Sequence, residues 1–319
     1  MIFTVKKRDV GTKKKHHGGR LNKKRTLKFK KLRCGPSSRG VSRGVSRGVS
    51  RRNKYTCYTN KSLRKLKFFW NKRHPEQRIQ SNKPKQIWEQ LKFYMMNTCS
   101  TERCWLNQQF IKFNLDKKLK HNTFAPKAPK SWRKNPKEWL SSVDLMKVMG
   151  QYENTYKNFA FIGPSPIDYD TRKMFGTCVW DDLCNFNLAE YIKKKKDKIG
   201  IIFNVDPHYK GGSHWVCVFV DLKKNFIFYF DSNGLNIPKQ IKKCVKMIQQ
   251  QSTNKLQFVQ NAPKRHQQYD TECGMYVLYV ISSLLTGKKD YEYFMNERIK
   301  DNEMFKLRKK FFNDFVYNR

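Results

Sequence analysis

The sequence predicts an α+β fold whose sheet is covered on both faces. Two observations carry this. Between residues 200 and 230 lie three runs of five to seven β-branched and aromatic residues, apolar almost throughout, as strands buried on both faces are. Around them, segments with helical apolar spacing supply the covering layers. About 180 residues of the C-terminal part share this pattern, enough to close one core.

Taken in chain order, residues 1–54 hold 20 Lys or Arg against a single acid, Asp9, and contain the low-complexity repeat that begins Ser38-Arg-Gly-Val41. Such a stretch buries too little apolar surface to offset its ordering entropy, so a disordered basic tail is expected over 1–54. Residues 55–80 remain basic but gain Phe68, Phe69 and Trp70. Residues 84–120 read as helical on the spacing of Ile87, Leu91, Tyr94, Met95, Leu106, Phe110, Phe113 and Leu115. A helical accessory region is therefore placed at 55–125. Ala125-Pro-Lys-Ala-Pro-Lys130 reads as a linker, with a second domain over 126–319. Trp139–Met149 fits a helix with Ser142 as candidate N-cap.

Strands are expected at 200–205, 215–221 and 226–230, the last two joined as a hairpin by the polar turn Leu222–Asn225. A helix over 238–251, a strand over 256–259 and a buried helix over 274–285 follow. Charged amphipathic helices close the chain, with Phe305, Leu307, Phe311, Phe312 and Phe315 along the last.

Composition narrows the function. With 38% hydrophobic and 14% aromatic residues the chain is not wholly disordered. Its 68 Lys+Arg against 25 Asp+Glu give a net charge of +43, a pull towards polyanions. The tail either neutralises DNA or RNA phosphates or serves as a solvated solubility or localisation segment. The longest apolar run, Gly274–Leu285, is too short for a membrane span, and Lys6-Lys7-Arg8 forestalls a secretory signal. A soluble intracellular protein is expected. The odd count of nine cysteines then favours free thiols in a reducing compartment, mostly as small core residues. The Cys99/Cys104 and Cys178/Cys184 spacings match no zinc knuckle, so neither metal nor cofactor is expected.

The hairpin carries the first chemical signal. A turn centred between Leu222 and Lys223 folds His214 back beside Asp231, where a carboxylate can fix the imidazole tautomer and stabilise imidazolium. Cys273-Gly274 stands where the loop 264–272 enters the apolar helix, and the positive end of a helix dipole favours thiolate. Gln267, six residues upstream, offers an amide donor to an oxyanion beside the Cys273 N–H. Gln268 and Asn233 are neighbouring alternatives to Gln267 and Asp231. His208 and His266 read as loop histidines, and Cys217 as core.

His214-Trp215, Asp231 and Gln267-x5-Cys273-Gly274 resemble the adenain and ubiquitin-like-protein-protease superfamily of cysteine proteases in residue type, order and spacing. Trp139-Leu140-Ser-Ser-x-Asp144, Phe161–Asp168 and Ile199–Asp206 resemble in particular the maturation proteases of large cytoplasmic DNA viruses. The resemblance covers roughly 135–290. It implies a permuted papain-like fold, a central mixed sheet flanked by helices. Cys273 would be nucleophile, His214 base and then acid, Asp231 orienter and Gln267 oxyanion donor. Trp215 would wall the cleft and Trp139 would roof a channel narrow enough to select Gly-Gly. Structural precursor proteins with Gly-Gly-X sites are the implied substrates, and a ubiquitin-like-protein conjugate is the alternative. The implied setting is the virion and the host cytoplasm where particles assemble, or otherwise the nucleus and cytoplasm, without secretion. A non-enzymatic basic packaging protein is the contrasting possibility.

Overall fold

The computed structural model describes residues 27–36, 55–112 and 117–315. Its centre is a mixed sheet of β1 (Phe159–Pro166), β2 (Lys198–Asn204), β3 (Trp215–Asp221), β4 (Phe226–Phe230) and β5 (Gln257–Gln260), in that spatial order. The β2–β3 and β3–β4 pairs are antiparallel, and the outer two pairs are parallel. Period-two alternation sorts the central side chains. Cys217, Phe219, Phe228 and Phe230 enter one apolar cluster, while Val216, Val218, Val220, Ile227 and Tyr229 enter the other. Both faces are thus covered, which is why these strands carry so few polar residues.

The longer helices are α1 (Asn60–Arg73), α2 (Pro84–Met95), α3 (Ser142–Thr155), α4 (Lys239–Gln251), α5 (Cys273–Thr286) and α6 (Asp301–Phe311). One sheet face packs on α3, α5 and α6, and the other on α4. The cap of α3 is Ser141 rather than Ser142: its hydroxyl accepts from Asp144 N–H and the Asp144 carboxylate accepts from the Ser141 N–H, a reciprocal capping box. Trp139 and Leu140 consequently precede the helix instead of opening it.

β1 was not expected. Gly163, Pro164 and Pro166 break its apolar run and read as loop, but an edge strand that pairs only with β2 tolerates them. The expected helical run over 84–120 is likewise shorter. α2 ends at Met95, and separate short helices follow at Glu102–Trp105, Gln109–Lys112 and Lys117–Asn122. The Thr101 hydroxyl caps the first of these, where Ser and Thr side chains compete with helical hydrogen bonds.

The helices α1 and α2 build a third apolar cluster from Leu63, Leu66, Trp70, Ile87, Leu91 and Met95 with Trp105 and Phe124. Residues 27–36 join it, which corrects the expectation of disorder over all of 1–54. Leu32 is buried there, Phe29 packs 6.0 Å from Trp105, and Cys34 forms a β-bridge with Phe124. These apolar side chains supply the burial that holds residues 27–36 against the helices. Residues 1–26 and 37–54 lie outside the described residues.

Ala125–Lys130, read as a linker, is strapped to Asn313. The Asn313 N–H donates to Pro126 O at 2.7 Å, and Ala128 N–H donates to Asn313 O at 2.7 Å. The Asn313 side chain accepts from Arg33 N–H at 2.7 Å and donates to Arg33 O at 3.0 Å and Ala125 O at 2.9 Å.

The free-thiol expectation is also corrected. Cys34–Cys57, Cys99–Cys104 and Cys178–Cys184 are disulfides, with Cα–Cα separations of 5.1, 5.5 and 6.2 Å. Two of the three join cysteines five or six residues apart across turns, where the chain itself brings the Cβ atoms together. Cys217, Cys244 and Cys273 are free and buried.

Candidate active site

The turn of the β3–β4 hairpin is centred one residue later than expected, which shifts the pairing register by two residues. Cys217 pairs with Phe230 and Asp221 with Phe226, so the turn is centred between Lys223 and Lys224. The Asp221 carboxylate fixes it by accepting from Lys223 N–H at 3.1 Å and Lys224 N–H at 3.0 Å. His214 therefore overhangs the paired strands instead of facing Asp231 across a ladder rung. Its side chain nevertheless reaches Asp231, with Nε2 2.7 Å from Oδ1.

The loop after β4 holds the carboxylate rigidly. Asp231 N–H donates to Asn261 Oδ1 at 2.9 Å, and Asn261 Nδ2 donates back to Asp231 O at 2.7 Å. Asn233 N–H donates to Asp231 Oδ1 at 2.8 Å, whereas the Asn233 amide lies 3.4 Å from His214 Nε2. Asp231 is thus the nearer partner of the imidazole. Burial works against charge on His214, but the hydrogen bond and charge of Asp231, together with Cys273, outweigh it and raise the imidazole pKa to about 9.

Cys273 opens α5 and is 1% exposed. Its backbone N–H, the first of the helix, has no intrahelical acceptor. With Nε2 engaged by Asp231, Nδ1 is the His214 nitrogen left for the Cys273 thiol. Gly274 is required by close packing: a Cβ there would stand 2.9 Å from Leu140 Cβ and 3.4 Å from Trp215 Cδ1. The Trp215 indole N–H donates to Leu140 O at 2.9 Å, so one tryptophan fixes the backbone that carries the other. Trp139 itself is 40% exposed and lines a cleft of about 600 Å³ with Leu140, Trp215, Gly212 and His208.

Gln267 is buried, and its Oε1 accepts from the Ser232 hydroxyl at 2.7 Å. With Oε1 in that contact, Nε2 is the donor end of the amide. Gln268 is exposed, its N–H donating to the Asp301 carboxylate at 2.9 Å.

His208 and His266 both lie on loops, as expected, and differ in burial. His208 is on a loop, bonded through Nδ1 to Asp168 at 2.6 Å. His266 is fully buried: Nε2 donates to Phe294 O at 2.9 Å and Nδ1 accepts from Ile299 N–H at 3.2 Å. Burial lowers its pKa to about 4, so it is a neutral structural brace. The Cys217 thiol lies within the sheet, where burial raises its pKa and disfavours thiolate.

Sequence reasoning missed the buried fork behind the nucleophile. Arg308, 0% exposed, donates through Nε and Nη2 to the Glu272 carboxylate, both at 3.0 Å, and through Nη1 to Glu138 O at 2.8 Å. Its guanidinium also lies 4.4 Å from the Trp132 ring centre. One side chain on α6 therefore holds the residue before Cys273 and the residue before Trp139. The signal was present, because Arg308 falls on the helical stripe of Met304 and Phe311. Ser232 and Asn261 carried no comparable mark.

Among the described residues no group of three or more His, Cys, Asp or Glu is arranged to hold a metal, and no helix is long and apolar enough to cross a membrane. A family model described as the Ulp1 protease family, C-terminal catalytic domain, matches residues 180–316. A thiol protease of Acanthamoeba polyphaga mimivirus is 31% identical over 218 residues, covering 66% of this chain and 68% of that protein. A protein named SUMO-1 cysteine protease from African swine fever virus is 34% identical over 128 residues, covering 38% of this chain and 46% of that protein. The crystal structure of an African swine fever virus protease superposes over 87% of this chain and 96% of its own with a TM-score of 0.57 at 21% identity, a likeness of fold.

Proposed function

Because the chain belongs to the Ulp1 protease family and is a cysteine peptidase, we propose that it is an endopeptidase that cuts structural precursor proteins after Gly-Gly during particle maturation. The observation that carries this reading is the 2.7 Å contact of His214 with Asp231 beside a buried free thiol at the start of α5. In the mechanism His214 takes the Cys273 proton and the thiolate attacks the scissile carbonyl. The oxyanion accepts from Gln267 Nε2 and the Cys273 N–H. Collapse breaks the C–N bond, and imidazolium protonates the leaving amine. Water, deprotonated by His214, then hydrolyses the thioester and restores the thiol. Trp215 and Leu140, packed against Gly274 beside the nucleophile, and Trp139, which lines a cleft with them, support the selection of glycine.

A peptide spanning a Gly-Gly-X junction tests this. Cleavage by the native chain and its loss in Cys273→Ala, with an unchanged melting temperature, is the expected result. Equal activity in the two would overturn it. The second reading, removal of a ubiquitin-like protein, is favoured by the name of the African swine fever virus relatives. Presenting a precursor peptide and a SUMO-type fusion in parallel separates the two, and the precursor is the expected substrate. The setting we propose is the assembly site, where residues 1–54 meet nucleic acid.

A further inference from the structure

A cavity of about 950 Å³ shares no lining residue with the Cys273 site or with the cleft beside Trp139. Six of its lining residues are cations. Lys31 and Arg33 come from the N-terminal strap, Lys288 from the end of α5, and Lys306, Lys309 and Lys310 from α6; none is acidic. Tyr152 of α3 and Tyr156, which caps its C-terminus, line it too, with ring centres 6.1 Å apart and planes 10° from parallel.

Three elements far apart in sequence thus bring like charges to one concavity. All six are exposed, and their summed charge makes the concavity attractive to an anion. The strap is also firmly built. Asn313 holds Arg33 on both its N–H and its C=O, and Cys34 is bonded to Cys57. Gly35 admits no side chain, because a Cβ there would fall 2.1 Å from Asn122 O. Asp314, the acid next to the clasp, is already paired with Lys30 at 2.9 Å.

We propose that this cavity binds single-stranded nucleic acid, its phosphates against the six cations and a base against Tyr156. The pairing of a cationic groove with aromatic faces is how single strands are gripped without sequence preference. A duplex keeps its bases inside the stack, where Tyr156 cannot reach them. The site is distinct from residues 1–26 and does not depend on the protease reading.

Anisotropy of a labelled single strand of about a dozen nucleotides, titrated with the full chain across a salt series, tests the assignment. Lys306→Glu with Lys309→Glu and Lys310→Glu is expected to weaken binding by about tenfold or more and to lower the salt slope by about 2, since each phosphate contact contributes about 0.7. Three reversals on exposed positions of α1, Lys61→Glu, Arg64→Glu and Lys65→Glu, are expected to cost less than about threefold. Equal losses from the two sets would overturn the site. Lys288→Glu, on another element, is expected to weaken binding alone, which keeps the test open if the triple variant misfolds. Tyr156→Ala is expected to weaken the single strand about fivefold while leaving inorganic polyphosphate binding unchanged. An equal effect on both probes, or on neither, would overturn the single-strand assignment.

Discussion

At His214 burial and pairing oppose one another, and pairing wins. The imidazole rises from 6.5 to about 9 in the folded chain, so its contribution to stability is complete below about pH 6.5 and is lost as pH climbs through about 9. Asp231→Asn should remove that dependence and draw the alkaline limb of peptide cleavage down from near pH 9, read from kcat/KM against pH. His266 has the opposite sign. Its pKa falls to about 4, so the stability it contributes is present above about pH 6.5 and drains away as pH falls towards 4. Acid denaturation of the native chain, compared with that of His266→Gln, measures it. Arg308→Met should destabilise by roughly 3–5 kcal/mol, because it leaves the Glu272 carboxylate buried alone. Urea unfolding gives that value, and the rate of Cys273 alkylation reports whether the nucleophile has shifted. Of the residues singled out by type and spacing, His214 meets Asp231 and Cys273, while Gln267 is bonded to Ser232 on the loop beside Asp231. Those that brace them were illegible, because Ser232 and Asn261 act through contacts that only the folded loops create. Arg308 was readable only as a charge out of place on an apolar stripe.

Among the elements, legibility followed periodicity. β2, β3, β4, α4 and α5 lie within one or two residues of where their patterns put them, because burial on both faces leaves a continuous apolar signature. β1 broke that signature with prolines that an edge position excuses. The hairpin turn moved by one residue, and its register by two, because the Asp221 side chain, not the turn's polarity, determines where the chain reverses. The disulfides were misjudged from composition, since an odd cysteine count says nothing about which pairs the turns bring together. For the strap over 27–36, reduction or Cys34→Ser should lower stability by about 2–4 kcal/mol, and loosening should be local to the helical cluster. Hydrogen exchange on Leu32 and Phe124 under reducing and oxidising conditions would register it.

For the whole molecule, the charge of +43 divides into parts with different structural settings. Removing residues 1–26 should weaken polyanion binding and leave Gly-Gly-X peptide turnover within about twofold, since counterion release is additive over contacts. Removing residues 1–36 should in addition lower the melting temperature, because Leu32 leaves the helical cluster and Arg33 leaves Asn313. Paired thermal melts and peptide assays on the two truncations check both statements. The Asn313 clasp also orders events in time. Arg33, Ala125, Pro126 and Ala128 leave the ribosome well before Asn313, the residue that ties them together. The strap over 33 and 125–128 must therefore wait for residue 313, and a chain interrupted during synthesis before residue 308 would hold a nucleophile whose Glu272 support is still unpaired. Such a fragment should be a poor protease, so that activity arrives only once Arg308 has been added.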